Sequence, residues 1–557
     1  MTIKHSTGAL SDEQRENQNQ RYKEGNEYDY VIVGTGSAAI TSASLLANVG
    51  HRVCMVEAHD IPGGYAQSFE MAGFHFCGQI HYVWGCSQGG IVYNFLERIG
   101  LEKDITFELL GSDKSGGYDR MDLPDGKQVF IPYGFDKLAD NIEAAYPGQG
   151  DGARQFLETL AKIRGEMKHI PEHKVSSLYY LKNAFKVPNI IKYQKSTLQD
   201  LFDVFKVGKE ARLILCGQAG DFMLPPEKLS IFMYSGLFGG YNTGAYYPTK
   251  HFRYYVDRLM KSITDHEGCH VYYETKVMKI HLENGEVSGI ESEDGKVFKA
   301  TKGYIWNGDP QAASYMIGRD EFPKDYLKKL DYEYSPSGVM IYLGLKDIDL
   351  RDHGFGSFNV WSMDQWDMNE TWKEQATGNF ENPWIFMSTP TLHTKELGTT
   401  PSPDNQIMEV ASYVEYEPFR EKIDKGGYAA YNGFKMDIAS KMLDFVERKY
   451  VPNLRDHLAL FVTGSPVTNE DYVLAPRGNA YGSNMTPENI TMDRLKADTP
   501  LKNFWWCNAS SGFAGLYGTV MTGAMVYMDL TGDHFHDFET VPSDDEYVRR
   551  VNEQICH

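Results

Sequence analysis

Two glycines and one acid near the N-terminus have the spacing of a dinucleotide-binding turn. Residues 34–39 read GTGSAA, a G-x-G-x-x-A pattern that directly follows the apolar run DYVIV. Gly34 permits a tight turn, and Gly36 lets the backbone approach a pyrophosphate at the N-terminus of the following helix. Glu57 ends the next apolar run, where a carboxylate accepts hydrogen bonds from ribose hydroxyls. Together these residues predict a βαβ unit that binds a dinucleotide.

A second glycine pair favours FAD over NAD as that dinucleotide. Pro62, Gly63 and Gly64 follow shortly after Glu57. They would let the chain wrap around the pyrophosphate and ribityl side of FAD, which NAD enzymes do not require. The sequence has no second G-x-G-x-x-A fingerprint after a strand further along the chain. We therefore predict one FAD as the cofactor.

The elements that position these residues can be read from the spacing of apolar side chains. The runs DYVIV and HRVCMVE predict strands on either side of the helical stretch TSASLLANVG. Residues 270–306 are rich in strand signals, and Asn284-Gly285 and Asp294-Gly295 predict hairpin turns there. The runs SGVMIYLGL, PWIFMSTP and QIMEVASYVEY predict further strands before a helix near 428–450. The last 60 residues predict a strand (FWWCN), a glycine-rich turn and an apolar helix (VMTGAMVYMDL).

Several separate stretches resemble the flavoprotein superfamily of phytoene desaturases, carotenoid isomerases and retinol saturases. The retinol saturase (all-trans-retinol 13,14-reductase) branch fits best, and the resemblance covers nearly the whole chain from residue 28 onward. The stretches that carry it are PGGYAQSF, the run from Gly73 to Tyr82, GAYYP at 244–248, APRG at 475–478 with Tyr481-Gly482, and Gly515 with Gly523.

The resemblance implies an α/β fold with two interwoven domains. One is a Rossmann-like FAD-binding domain of the glutathione-reductase and amine-oxidase type, and the other is an α+β substrate domain. We expect the FAD-binding domain in residues 28–105, 240–315 and 455–535, and the substrate domain in 106–239 and 316–454. Residues 1–27 are expected to be a polar, mobile arm and 536–557 a C-terminal tail.

By the same resemblance, Lys276-Val277 would lie against the FAD adenine, and Gly515 and Gly523 would belong to a C-terminal flavin motif. The predicted cofactor-binding residues are Gly34, Gly36, Ser37, Ala38, Glu57, Ala58, Gly63, Gly64, Val277, Gly515 and Gly523. Three positions depart from the family pattern, namely Cys77-Gly78-Gln79, Lys250-His251 and Asn508. The resemblance therefore implies FAD, but it does not imply retinol as the substrate.

Four residues are candidates for the proton chemistry that accompanies hydride transfer at a carbon–carbon double bond. His81 and Tyr82 lie in a loop between glycines, Tyr247 precedes a proline, and Arg477 lies between a proline and a glycine. Arg477 would hold a carboxylate or the pyrimidine edge of the flavin. The alternative for each is an ordinary hydrogen-bonded core residue.

The leading functional interpretation is an FAD-dependent oxidoreductase that saturates or desaturates a lipid-like polyene such as a retinoid or carotenoid. A redox-neutral double-bond isomerase of polyunsaturated fatty acids or carotenoids is the first alternative. A flavin amine oxidase is the second, with Trp505 and Trp506 as cage residues. A lipid-binding protein without enzymatic activity is the third. The electron partner is left open.

The composition of the chain restricts its possible binding partners and its cellular location. A net charge of −21 argues against nucleic acid. Seven scattered cysteines without a CxxC pair argue against a disulfide framework or a metal site and favour the cytoplasm. No apolar run is long enough to cross a bilayer. Residues 174–195 carry five lysines, no acid and interleaved aromatic and aliphatic side chains, which predicts peripheral membrane contact.

Overall fold

Helices and strands are both spread along the chain, with runs of consecutive helices and of consecutive strands. A computed structural model describes residues 10–169, 182, 184–394, 398–490, 493–538 and 540–556. The helices are α1 Asp12–Arg21, α2 Ser37–Asn48, α3 Ile91–Arg98, α4 Phe135–Ala145, α5 Gly150–Met167, α6 Pro188–Tyr193, α7 Leu198–Val204, α8 Lys209–Cys216, α9 Ile231–Asn242, α10 His251–Thr264, α11 Pro310–Ile317, α12 Lys324–Leu330, α13 Met368–Ala376, α14 Pro390–His393, α15 Glu417–Lys449, α16 Pro466–Val473, α17 Gly515–Thr531 and α18 Asp544–Cys556.

The strands form two large sheets and two short pairs. They are β1 Glu27–Val33, β2 Val53–Val56, β3 Ser68–Met71, β4 Phe74–Cys77, β5 Phe107–Leu109, β6 Asp119–Asp122, β7 Gln128–Ile131, β8 Tyr246–Pro248, β9 His270–Tyr272, β10 Val277–Glu283, β11 Glu286–Ser292, β12 Val297–Trp306, β13 Ser337–Leu345, β14 Asn359–Met363, β15 Trp384–Ser388, β16 Gln406–Val414, β17 Leu458–Gly464 and β18 Phe504–Trp506.

The first sheet contains the predicted βαβ unit. Its strand order is β10-β11-β12-β1-β2-β9, and β18 also pairs with β12. The strands β12, β1, β2, β9 and β18 run parallel, whereas β10 and β11 form an antiparallel hairpin as the Asn284-Gly285 pair predicts. The central strands β1 and β2 are buried along almost their whole length, which explains their continuous apolar runs.

The second sheet has the order β17-β13-β16-β15-β14-β6-β7. Its strands β13, β15 and β16 are the three predicted from apolar runs. One segment differs from the expected domain division, because β17 lies within 455–535 but pairs with β13 of this second sheet. The periodicity of a strand identifies the strand but not its partner, so the sequence did not indicate that β17 pairs with β13.

The N-terminal segment is not a mobile arm over its described part. Residues 12–21 form α1, and Ser11 and Gln14 close a capping box at its start. The side chain of Gln18 makes two hydrogen bonds with the backbone of Tyr273, and Arg15 pairs with Glu274. A polar composition was compatible with a docked helix because its contacts with the sheet are themselves polar.

The other two expectations about late segments fit the observed elements. The helix predicted near 428–450 is the second half of α15, in which Gly427 adopts a non-helical conformation that separates it from the first half. The C-terminal tail contains α18, which buries Tyr547 and Val551. The side chain of Arg164 pairs with Asp544 at the start of this helix, at 2.7 Å.

Candidate active site

The glycine-rich turn after β1 brings backbone close to a side chain from another strand. Gly34 has a positive φ of 95°, and a Cβ on Gly36 would lie 2.5 Å from the Oδ1 atom of Asn307. The N–H of Gly36 donates to that oxygen at 2.9 Å. The following helix α2 begins without a side-chain cap, so the first-turn N–H groups at Ser37 and Ala38 are available to an anion.

The carboxylate of Glu57 organises the end of β2. One oxygen accepts hydrogen bonds from the N–H of Thr35 at 2.8 Å and from its hydroxyl at 2.5 Å. The other accepts from the N–H of His59 at 2.9 Å, beyond the partly buried Ala58. The N–H of Thr275 donates to the carbonyl of Glu57, which places the chain leading to Val277 beside this strand end. The adenosine-binding role of these positions stays a prediction.

The second glycine pair closes over the first. Gly63 and Gly64 both have positive φ, and Gly63 forms an isolated bridge with Gly36. A Cβ on Gly64 would lie 3.2 Å from the Cα atom of Gly36. Any side chain at these positions would fill the space between the two turns, which explains the glycines in physical terms.

A second uncapped helix N-terminus faces the same space. Helix α17 begins at Gly515, which has a positive φ, and Ala514 provides no side-chain cap. Gly523 lies eight positions further along this helix. A Cβ at Gly523 would come within 2.3 Å of the carbonyl oxygen of Ala38. The predicted flavin motif therefore divides into two roles: Gly515 faces the cavity, whereas Gly523 allows α17 to pack against α2.

The loop before α17 is held by two polar side chains. Asn508, which replaces the glycine of the family pattern, accepts hydrogen bonds from the N–H groups of Ser510 and Ser511 at 3.0 and 3.1 Å. The buried guanidinium of Arg494 donates to the carbonyls of Ala509 and Gly512, both at 2.6 Å. Burial lowers the pKa of Arg494 to about 10, which leaves it charged at neutral pH. The sequence analysis did not identify Arg494.

These glycines and helix ends line one open cavity with a volume of about 270 Å³. Six of the predicted cofactor-binding residues line it, namely Gly36, Ser37, Ala38, Gly63, Gly64 and Gly515. The donor set fits a dinucleotide, because two helix N-termini and glycine backbones converge where a diphosphate needs N–H donors. Gly34, Glu57, Ala58 and Val277 lie outside the lining, on the strand ends that lead to it.

The same cavity continues into an apolar region. Its walls there are contributed by the second sheet, by α9 and by the loop that contains Trp84, through Trp84, Leu237, Tyr241, Met340, Trp384 and Phe386. Trp84 and Trp384 are almost completely buried. A ligand in this region would therefore contact hydrocarbon and aromatic rings.

His81 lines the cavity and is held by a buried acid. Its Nδ1 lies 2.8 Å from an oxygen of Glu409, whose side chain is 0% exposed. The other oxygen of Glu409 accepts a hydrogen bond from the N–H of Cys77 at 3.1 Å. The His81 ring also packs against Phe386 with ring centroids 4.9 Å apart. With Nδ1 engaged by Glu409, Nε2 is the nitrogen available for a ligand. The sequence analysis missed Glu409, which lies 328 residues from His81.

Tyr82 also lines the cavity, and its hydroxyl lies 3.4 Å from a carboxyl oxygen of Asp119 and 3.4 Å from one of Asp221. The sequence analysis missed both acids. The one available signal was an acid in the run LILCGQAGDFML, where an apolar and glycine-rich context predicts burial. Burial raises the pKa of Asp221 to about 7 and holds the pKa of Asp119 well above its usual range.

Two predicted catalytic residues are not brought to the cavity. Tyr247 is fully buried in β8, outside the cavity lining, and its hydroxyl has no hydrogen-bond partner among the described residues. Arg477 adopts a positive φ of 60°, and its guanidinium forms an ion pair with Glu417 at the surface. Motif position placed both residues near the site, but side-chain direction separates them from it.

The predicted aromatic cage is also absent from the cavity lining. Trp505 and Trp506 lie in β18, and Trp506 donates its indole N–H to the hydroxyl of Tyr326 at 2.7 Å. The ring of Trp505 packs over Gly303, where a Cβ would lie 2.3 Å from it. These two tryptophans therefore cover the first sheet.

Comparisons with known proteins agree with this geometry. A family model described as an NAD(P)-binding Rossmann-like domain matches residues 32–99. The chain is 25% identical to an all-trans-retinol 13,14-reductase from Danio rerio, over 90% of this chain and 86% of the relative. It is 24% identical to a chloroplastic prolycopene isomerase from Daucus carota, over 82% of this chain and 72% of the relative.

Solved structures show the same fold at lower identity. Cyclohexylamine oxidase from Brevibacterium oxydans matches with a TM-score of 0.58 and 14% identity, over 96% of this chain and 100% of that chain. The comparisons confirm the resemblance to retinol reductases and carotenoid isomerases and the Rossmann-like α/β fold. They also confirm the expectation of an enzyme, because the relatives are named as a reductase and an isomerase.

Proposed function

We propose that this chain is an FAD-dependent enzyme that acts on carbon–carbon double bonds of an apolar, polyene-like substrate. The observation that carries the proposal is the continuity of the cavity, which begins at the glycine turns and helix ends and continues between aromatic walls. A dinucleotide in the first part and an unsaturated chain in the second would be in contact. The names of the relatives support this class of substrate.

The residues of the chain would divide the work between binding and proton transfer. The backbone at Gly36 and Gly515 would hold the diphosphate, and the aromatic walls would exclude water. Bound FAD supplies hydride acceptance and donation. His81, oriented by Glu409, would present Nε2 beside the apolar region as one route for a proton.

The test is anaerobic incubation of the FAD-loaded protein with carotenoids, retinoids and polyunsaturated fatty acids while flavin absorbance is followed. Bleaching of the oxidised flavin with formation of a more unsaturated product would support desaturation. Reoxidation of the reduced flavin with loss of a double bond would support saturation. Protein that purifies without FAD and does not bind added FAD would contradict the proposal.

A redox-neutral isomerase is the second candidate. It is favoured by the prolycopene isomerase relatives and by the sequence, which shows one dinucleotide fingerprint and none for a nicotinamide donor. The same incubation distinguishes the two candidates. An isomerase would convert substrate over many turnovers without a net change in flavin oxidation state.

We also propose that the lysine-rich segment contacts an anionic membrane surface. Residues 174–181 and 183 of the predicted interval lie outside the described residues. In the described part, Phe185 is 75% exposed and Ile191 is 48% exposed, and both stand beside exposed lysines. Within the described residues, no helix has the length and apolar character needed to cross a membrane. Exposed rings and aliphatic chains among lysines are typical of interfacial contact.

A further inference from the structure

Two acids from distant parts of the chain meet at one phenol in the wall of the cavity. Asp119 lies in β6, and Asp221 lies in the short 3₁₀ turn Gly217–Phe222. The Tyr82 hydroxyl is 3.4 Å from an oxygen of each. The Tyr82 ring is fixed by stacking on Tyr241, with centroids 3.7 Å apart and planes within 3°. The phenol therefore has a defined position between the two carboxyl groups.

The two acids differ in their access to a ligand. Asp119 is completely buried, accepts a hydrogen bond from the side-chain amide of Gln218, and accepts another from Asn359 at 3.2 Å. Asp221 lines the cavity. Its pKa is shifted by burial and by one side-chain hydrogen bond, which comes from Tyr82. Asp221 is thus the member of the pair that can reach a substrate.

The Tyr82 hydroxyl has one hydrogen but contacts two carboxyl groups, which favours a proton on one of the two acids. One hydroxyl hydrogen can be donated to one carboxylate only, so the second contact is satisfied when the other carboxyl is protonated and donates to the phenol oxygen. Two carboxylates in a buried site also resist simultaneous ionisation. The geometry is that of one shared proton with a tyrosine as the link.

We infer that Asp119, Tyr82 and Asp221 form the proton store of this cavity, and that Asp221 exchanges the proton with a substrate carbon. The inference rests on the proposed function. In saturation, the carboxyl of Asp221 loses its proton to one carbon of the double bond, forming a C–H bond. The other carbon receives a hydride, the chemistry that FAD supplies after reduction by a two-electron donor. In desaturation both transfers run in reverse.

The surroundings of Asp221 contain acids and phenols. The titratable groups that interact with it are the carboxyl of Asp119 and the phenols of Tyr82, Tyr234, Tyr241 and Tyr481. These phenols are held neutral, because burial raises their pKa well above the ordinary value. The charge of the cluster at neutral pH is therefore set by the two carboxyl groups.

The decisive measurement is an infrared titration of buried carboxyl groups in the FAD-loaded protein, without substrate. Wild type should show a protonated carboxyl that ionises near pH 7, and Asp221→Asn should remove that signal. Tyr82→Phe should raise the midpoint, because the phenol stabilises the ionised form. Asp257→Asn, at an exposed acid of α10, is the control and should leave the signal unchanged.

Turnover then tests the chemical role. Asp221→Asn should slow conversion of a confirmed polyene by about a hundredfold or more while FAD remains bound. Full activity of Asp221→Asn, or a wild type without the ionising carboxyl, would overturn the inference. If Asp221→Asn does not fold, the titration midpoint of Tyr82→Phe decides, because loss of the phenol should raise it. If the Asp221 carboxyl ionises near pH 7 but the protein converts no unsaturated substrate, the proposed function is contradicted and the proton store is not.

Discussion

Glu57 illustrates how one side chain can serve both the fold and the cofactor. Glu57 is predicted to accept hydrogen bonds from a ribose, and in the structure it holds the backbone and hydroxyl of Thr35 in the glycine turn. A carboxylate with these local donors is already oriented before any ligand binds. Its loss would disturb the turn as well as remove an acceptor.

We expect Glu57→Ala to weaken FAD binding at least about tenfold, because a hydrogen bond to a charged group contributes about 1.5–3 kcal/mol. FAD retained after gel filtration, measured by absorbance, is the readout. Glu70→Ala, which removes an exposed acid from β3, is the matched control. Equal FAD retention by both variants would contradict the assignment.

Tyr247 shows the opposite case, in which a residue predicted from a motif lies outside the cavity lining. Its hydroxyl is buried without a hydrogen-bond partner among the described residues, and its ring packs against Phe252 and His393. We expect Tyr247→Phe to retain activity within about threefold and to raise the free energy of unfolding by about 1 kcal/mol, because an unsatisfied polar group is removed. Turnover and urea denaturation measure the two effects, and a large loss of turnover would return Tyr247 to the list of catalytic candidates.

The raised pKa of Asp221 predicts a pH-dependent stability. Its ordinary value is 3.8 and its folded value is about 7, so between these values the folded state holds a proton that the unfolded state has lost. Stability from this group is therefore present at low pH and lost as the pH rises through 7. From pH 5 to pH 8 wild type should lose about 2–3 kcal/mol relative to Asp221→Asn. Urea denaturation of both proteins at the two pH values is the measurement; parallel curves would refute it.

At the scale of elements, the sequence predicted the strands and glycine turns well, but it did not predict their partners. Apolar runs identified β1, β2, β13, β15 and β16 because side-chain alternation and burial are local properties. The place of β17 in the second sheet and the meeting of Asp221 with Tyr82 depend on contacts between residues more than a hundred positions apart. No spacing rule in a single sequence encodes such pairs.

The packing of α17 against α2 depends on Gly523. A Cβ there would lie 2.3 Å from the carbonyl oxygen of Ala38 and 2.8 Å from the Cβ of Thr41, so Gly523→Ala must move one helix away from the other. We expect a loss of about 1–3 kcal/mol in stability and weaker FAD retention. Thermal unfolding and gel filtration measure both.

Gly165→Ala provides the matched control for that change. Gly165 lies in α5, and among the described residues outside its own helix turns no atom lies within 4 Å of a Cβ built there. The same substitution there should stabilise the protein by up to about 1 kcal/mol, because alanine is the better helix former. Equal effects at the two glycines would show that close helix packing is not the reason for Gly523.

At the scale of the whole molecule, the cavity is a joint product of the two sheets. Asn307 follows β12 of the first sheet, whereas Met340 and Phe386 belong to the second, and all three line the same space. The sequence predicted two interwoven domains, and this arrangement explains why a cofactor site and an apolar wall adjoin. The exact boundaries of the domains stay a prediction.

The lysine-rich segment concerns the surface of the whole molecule. We expect the protein to bind anionic vesicles, and the triple change of Lys182, Lys186 and Lys192 to Glu to abolish binding, since each basic residue contributes about 1 kcal/mol near an anionic surface. Vesicle sedimentation is the measurement. An equal charge change at Lys346, Lys422 and Lys425 should leave binding nearly intact. Loss of binding in both triple variants would indicate an effect of net charge alone.

The docked helix α1 has a consequence for how the protein behaves among copies of itself. β9 is the last strand of the first sheet, and the backbone of Tyr273 just beyond it pairs with the side-chain amide of Gln18 as it would with a neighbouring strand. Unpaired strand edges are templates for aggregation. The polar helix α1 therefore covers the sheet edge beside β9. A chain shortened past Tyr22 would expose this edge, which could then pair with a second molecule.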